Sequence, residues 1–271
     1  ASAVLGSATN MAEICARVCP TDRLCEGSCI LNGISEPVSI GAIEQFLAEY
    51  AFAHGHADAS TALPNGLRVA VVGSGPGGLA CADELARRGY AVTILDSGLV
   101  PGGLLVNGTP AFKVERSLVQ RRIEILQKRG VIFRLGVKLD ENLTFGELRT
   151  AFDAVFLGFD SRKARPLEIP GADLQGVVQA LPFILQKISP VPLELPPIEV
   201  SGKRVVVLGA GDTAMDCLRT AIRCGAREAV CVYRRGEADM PCGRHEYQNA
   251  FEEGARFVFQ AAPAAVLGNE Q

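Results

Sequence analysis

The sequence has no long hydrophobic run. Its longest stretch without a charge, Ser97 to Phe112, is broken by glycine and proline, so no segment is expected to span a membrane. It has no surplus of one charge either: Lys+Arg 27 against Asp+Glu 30 leaves a net charge of -3, which argues against a general nucleic-acid binder. No basic stretch followed by an apolar one opens the sequence, so no secretory signal is expected. The 9 cysteines are odd in number and none forms C-x-x-C. That speaks against a disulfide framework and against a closely spaced redox pair, and for a reduced, cytoplasmic compartment. The 3 histidines, His54, His56 and His245, are scattered and expected at the surface, and no nucleophile–base triad is found. Glycine is in excess, at 29 of 271 residues or about 11% against a usual ~7%. Such an excess suits backbone that approaches ligands closely, and 48% hydrophobic residues suffice for about two domain cores.

Four blocks and a crossover organise the chain. Residues 1–52 hold four closely spaced cysteines and end in an amphipathic run, Ile40 to Phe52, that Ser39 is expected to N-cap. Residues 53–66 have the composition of a linker. From Leu67 strands and helices alternate: RVAVVG, then the helix PGGLACADELARRG, then the strand AVTILD, a helix near Arg116 to Arg129, and the strands VIFRL and DAVFLGF. Residues 189–202 carry four prolines and are expected to be the crossover between domains at 67–188 and 203–271. The pattern then restarts with RVVVLG, DTAMDCLRTAIRCG, AVCVYRR, a helix around Arg244 to Glu253 and the strand ARFVFQ. The fold class expected is α/β, with two Rossmann-like dinucleotide-binding domains and a small helical N-terminal segment, truncated at both ends.

The first glycine loop is Gly73-Ser74-Gly75-Pro76-Gly77-Gly78, between a strand and a helix. Gly73 would allow the tight turn, Gly75 the approach of backbone to a pyrophosphate, and Gly78 the close packing of helix on strand. Asp96 ends the next strand, 18 residues after Gly78, where a carboxylate can accept hydrogen bonds from ribose hydroxyls. Gly103 and Gly158 are further candidate cofactor-binding positions. The second loop is Gly209-Ala210-Gly211-Asp212-Thr213-Ala214, with Ala214 in place of the third glycine. Here the following strand ends in Arg234-Arg235 instead of an acid. Guanidinium groups can hold a 2′-phosphate that a carboxylate would repel, which favours NADPH over NADH; a solvated basic strand end is the alternative. Opposite charge signatures imply two different dinucleotides, FAD at the first loop and NADPH at the second, exchanging a hydride. Cys81, Cys217, Cys224, Cys231 and Cys242 are isolated and expected to be packing residues.

The N-terminal cysteines Cys15, Cys19, Cys25 and Cys29 follow C-x3-C-x5-C-x3-C. Spacing alone leaves zinc and an iron–sulfur cluster equally open. The flavin context favours the cluster, because zinc cannot take electrons from a flavin.

Together, ICARVCPTDRLCEGSC, GSGPGG, GTPAFKVERSLVQRR, VVVLGAGDTAMDCLRTAIRCGA and VYRRGEADMPCGRHE resemble the small subunit of NADPH-dependent glutamate synthase, from about Glu13 onward. The dihydropyrimidine dehydrogenase flavin subunit and the ferredoxin:NADP oxidoreductase large subunit share the module. The resemblance implies an enzyme in which NADPH reduces FAD, and electrons leave through 4Fe–4S clusters towards a large-subunit partner that makes glutamate, in a hetero-oligomer. It implies Cys19, Cys25, Cys29 and Glu44 as cluster ligands, with Cys15 outside the set. The family's remaining cluster ligands and the closing part of its FAD domain lie in segments expected before and after this sequence. The alternatives are the same module serving a pyrimidine- or ferredoxin-reducing complex, and a non-catalytic nucleotide-binding remnant.

Overall fold

The computed structural model describes residues 1–55, 62–159, 163–192 and 195–268, so the middle of the expected linker lies outside the described residues. The chain forms two compact units, one of residues 1–19 and 28–161, the other of residues 20–27 and 162–271.

The first unit opens with helices α1 (Ser2–Ala8), α2 (Ala12–Val18) and α3 (Ile40–Ala53). There follow β1 (Arg68–Val72), α4 (Pro76–Arg87), β2 (Ala91–Asp96), α5 (Leu104–Asn107) and α6 (Arg116–Lys128). The unit continues with β3 (Ile132–Leu135), α7 (Phe145–Ala151) and β4 (Ala154–Leu157). The strands form a parallel sheet in the order β3-β2-β1-β4. β1 is an unbroken apolar run because both of its faces are covered, as parallel sheets require. On one side Val71, Val92 and Ile94 pack with Leu79 and Ala82 of α4 and Val119, Ile123 and Leu126 of α6. On the other, Ala70, Val72 and Leu95 meet Leu148 of α7. Strand order reverses beside β1, which places a crevice at the carboxyl ends of β1 and β4.

The helices of the expected 1–52 segment pack onto the core of the sheet. Met11 and Ile14 of α2 belong to the same core as α4 and α6. Between them Glu13, 1% exposed, accepts two bonds from Arg122 of α6, at 2.7 and 2.9 Å. Fully buried Asp83 of α4 takes Arg129 and Arg87 as ion partners, with Arg122 at 3.8 Å. Charges sunk this deep persist only when neighbouring elements supply the counter-charge, so the helices must dock to satisfy them. Ser39 does stand at the N-cap of α3, but its side chain makes no capping bond. Thr144 caps α7 in a reciprocal box with Glu147, a signature that T-x-x-E carries in the sequence.

The second unit holds α8 (Ala180–Ile188), β5 (Arg204–Leu208), α9 (Asp212–Arg223), β6 (Glu228–Tyr233), α10 (Arg244–Glu252) and β7 (Arg256–Phe259). Its sheet is parallel, in the order β5-β6-β7. The division between units falls at 161/162 and not in the proline run expected as the crossover. The reason is α8: its Phe183 and Ile184 pack on Cys217 and Ala221 of α9 together with Val200. An amphipathic helix goes where its apolar stripe finds a partner, whichever side of the prolines it lies on.

Candidate functional site

β1 ends by passing into Gly73, whose N–H donates to the Leu95 carbonyl at 2.7 Å. Gly73 has φ +104, in the left-handed region, and a Cβ there would meet the Gly158 carbonyl oxygen at 2.6 Å. One step on, a Cβ at Gly78 would lie 1.9 Å from the Gly73 carbonyl oxygen. Gly103 packs against the backbone of Gly75, and Gly158 against that of Gly78. These four glycines make a tight knot behind the loop. Gly75 and Gly77 differ, because a Cβ at either meets nothing within 4 Å. Open space thus adjoins the start of α4, where first-turn N–H groups have no helical partner and the helix dipole is positive. Pro76 at the first helical position withholds no donor the helix would use. This arrangement fits a diphosphate.

Asp96 lies at the end of β2, buried, and its carboxylate is engaged by its own chain. Oδ2 accepts from the N–H and the hydroxyl of Ser74, both at 2.6 Å, and Oδ1 accepts from the N–H of Gly98 at 2.7 Å. Of roughly four acceptor positions on a carboxylate, three are used, so a ribose could claim one at most. Asp96 thus braces the glycine loop and keeps one acceptor position towards which a ribose hydroxyl could donate. Ser74, which the sequence reading passed over, is the bridge, since its hydroxyl also accepts from the N–H of Gly102 at 2.9 Å.

The second loop repeats the turn. Gly209 donates its N–H to Val232 at 3.0 Å and has φ +107. A Cβ at Gly209 or Gly211 meets nothing within 4 Å, so the space beside the start of α9 is open as well. Ala214 is buried on the sheet side, where this helix leaves room for a methyl group. Asp212 accepts from the N–H of Gly243 at 2.9 Å, and Thr213 is exposed in the first turn. Beyond β6, Arg234 and Arg235 are exposed, and their guanidinium groups enter no hydrogen bond or ion pair among the described residues. Cys231 and Cys242 pack in this unit's core as expected and also touch the loop. The Cys231 thiol donates to the Gly209 carbonyl at 3.2 Å, and the Cys242 N–H to the Ala210 carbonyl at 3.1 Å.

The N-terminal cysteines are arranged differently. Cys19 and Cys25 are exposed and Cys29 half-buried. Among the described residues no group of three or more His, Cys, Asp or Glu side chains stands close enough to hold a metal ion. Within the first unit, Cys19, Cys29 and Glu44 are therefore not gathered round one point, and three such groups do not by themselves complete a cluster that takes four ligands; Cys25 belongs to the second unit. Cys15, set outside the ligand set by the resemblance, neighbours Cys19 and Glu44: burial first, and then Cys19, pushes its thiol up to about 11. Burial, with Glu13 second, also raises the Glu44 carboxyl. The i, i+4 spacing of Cys15 and Cys19 was the sequence signal for their proximity.

Residues 1–56 match the family model described as dihydropyrimidine dehydrogenase domain II, 4Fe-4S cluster, and residues 67–271 that described as pyridine nucleotide-disulphide oxidoreductase. The glutamate synthase (NADPH) small chain of Halomonas elongata is 44% identical over 276 residues, which take in 100% of this chain and 58% of that one. The putative oxidoreductase UacF of Escherichia coli is 43% identical over 268 residues, 97% of this chain and 42% of its own length. The chain thus spans about half the length of these curated relatives. Among solved structures, FprA, an oxidoreductase of Mycobacterium tuberculosis, superposes with a TM-score of 0.67 at 21% identity, over 75% of this chain and 61% of that one, a likeness of fold. A match that runs through both glycine loops, from 67 to 271, covers well over half the sequence, and the chain belongs to the pyridine nucleotide-disulphide oxidoreductase family.

Proposed function

We propose that the protein oxidises NADPH at the Gly209 loop and passes the reducing equivalents on through FAD held at the Gly73 loop, as the electron-input part of a glutamate synthase-type complex. The observation that carries the reading is the contrast at the two strand ends. Asp96 is buried and committed to its own loop, whereas Arg234 and Arg235 are exposed with their charges uncommitted among the described residues. Two such guanidinium groups suit a dianionic 2′-phosphate. When bound, FAD supplies two-electron acceptance and one-electron release. Gly75 and Gly77 leave room for its diphosphate, the start of α4 offers N–H donors, and Ser74 with Asp96 holds the loop in shape. At the second loop Gly211 and the N–H groups of α9 receive the NADPH diphosphate, while Arg234 and Arg235 select the phosphorylated ribose.

Members of this family also reduce disulfides, but the sequence given contains no C-x-x-C, and one-electron export towards a partner subunit is the better use of a flavin here. A partner resembling the glutamate synthase large subunit, in a hetero-oligomer, follows from the names of the relatives. A reduced, cytoplasmic setting suits nine free thiols. The second reading is the same module in a pyrimidine-reducing complex, favoured by the description of the N-terminal family match.

The test is anaerobic reconstitution with FAD, followed by visible spectra before and after NADPH. The flavin band is expected to bleach with NADPH and far more slowly with NADH. Replacing both Arg234 and Arg235 by Ala is expected to remove about tenfold or more of the NADPH preference, since each charge-assisted bond is worth roughly 1.5–3 kcal/mol. Retained flavin that NADPH does not bleach would end the proposal. Glutamate formation from glutamine and 2-oxoglutarate with a large subunit, set against reduction of a pyrimidine, separates the two readings.

A further inference from the structure

Residues 20–27, the stretch that carries Cys25, belong to the same compact unit as the second glycine loop, and a strap of chain bonds to both. The strap is Met240 to Arg244, between β6 and α10. Two of its N–H groups face the loop: Cys242 donates to the Ala210 carbonyl at 3.1 Å, and Gly243 to the Asp212 carboxylate at 2.9 Å. Its carbonyls face the other way. The Arg23 guanidinium donates to the Met240 carbonyl at 2.8 Å and to those of Pro241 and Cys242. Asp22 completes the attachment by accepting from the N–H of Arg244 at 2.8 Å, the first residue of α10. Three carbonyls converging on one permanently charged guanidinium, beside a carboxylate at a helix start, make a two-point anchor between distant parts of the sequence.

We propose that Arg23 is a positioning residue that couples the second glycine loop to residues 20–27, so that binding of a nicotinamide nucleotide diphosphate orders the segment bearing Cys25. The proposal rests on the reading that this loop takes NADPH. The coupling follows from charge. A diphosphate arriving at the start of α9 repels the Asp212 carboxylate and strengthens its bond to the strap, where Gly243 already holds it. The strap is fixed through backbone groups, so an N–H drawn towards the loop also fixes the carbonyls that Arg23 grips. Burial first, and then the Asp212 carboxylate, pushes the Cys242 thiol up to about 11, which keeps it neutral beside Arg23. By linkage the effect is reciprocal: loosening Arg23 weakens nucleotide binding by the same factor by which nucleotide orders the segment.

Amide hydrogen exchange of residues 20–27 in the full protein, with and without NADP+, tests this alongside calorimetric titration of NADP+. In the wild type, NADP+ is expected to slow exchange in this segment by about fivefold or more, the lower end of ordinary coupling. Arg23→Gln is expected to speed exchange without nucleotide, to abolish the response to NADP+, and to weaken NADP+ binding by a matching factor. Asp22→Asn should do the same in smaller measure, and unchanged exchange in β6 verifies that each variant is folded. If NADP+ binds but exchange in residues 20–27 does not change, or if Arg23→Gln keeps the full response, the coupling is overturned. If NADP+ does not bind the wild type at all, the reading of the loop fails first and the coupling falls with it.

Discussion

A methyl group added at Gly75 would enter open space, whereas one added at Gly78 would sit 1.9 Å from the Gly73 carbonyl oxygen. The two substitutions should therefore fail in opposite ways. Gly75→Ala, at φ -66, is expected to fold normally and lose FAD affinity by about tenfold or more, because the methyl occupies diphosphate space. Gly78→Ala is expected to cost about 3 kcal/mol of stability, because backbone must move to admit it, outweighing the roughly 1 kcal/mol that alanine gains in a helix. Thermal melts and flavin titration of both variants check the pair. A second residue-scale expectation concerns the buried thiols. Burial pushes Cys217 up to about 12, and Cys231 and Cys242 up to about 11, from an ordinary 9.0. Since folding holds these protons more tightly than the unfolded chain does, their contribution is complete below pH 9.0 and is lost as pH rises towards 11 and 12. The melting temperature should fall over that window, and Cys217→Val should make the fall shallower. Asp96 shows the limit of reading single positions. Its place at a strand end was legible, but the direction of its two oxygens depended on Ser74 and Gly98, which only the folded loop brings within 2.6 and 2.7 Å.

The helices and strands flanking the glycine loops could be read from the sequence because their periodicities are strong. α6, expected from Arg116 to Arg129, runs Arg116–Lys128, and α10, expected to Glu253, ends at Glu252. α8 was missed as an element, and its Phe183 and Ile184 found their place only against Cys217 and Ala221 of α9. α2 is a sharper case. Its Glu13, to which nothing in the sequence draws attention, is buried against Arg122, 109 positions away. Glu13→Ala would leave the buried guanidinium without its carboxylate and is expected to cost about 3–5 kcal/mol in chemical denaturation. A paired Glu13→Leu, Arg122→Met variant should recover most of that loss, because an apolar pair of similar volume can replace a buried ion pair. If the single and paired variants are equally unstable, packing at α2, and not charge, holds the helix in place.

Each of the two units has its own sheet and its own apolar core. Scanning calorimetry should accordingly resolve two transitions. NADP+ should raise only the one belonging to residues 162–271 and FAD only the other, each following the logarithm of ligand concentration over its dissociation constant. A single transition raised equally by both ligands would show that the units unfold as one. At this scale the division of labour between sequence and structure is plain. Local order was written in the sequence: glycine loops between strand and helix, the acid at one strand end and the arginines at the other, and the apolar runs of parallel strands. Each of these rests on backbone conformation or periodicity within some thirty residues. The tertiary structure alone decided that the unit boundary falls at 161/162, that residues 20–27 join the unit of residues 162–271, and that Asp96 braces its own loop. Those outcomes depend on which distant group reaches a buried charge or an unpaired backbone donor first, and neighbouring residues carry no record of that.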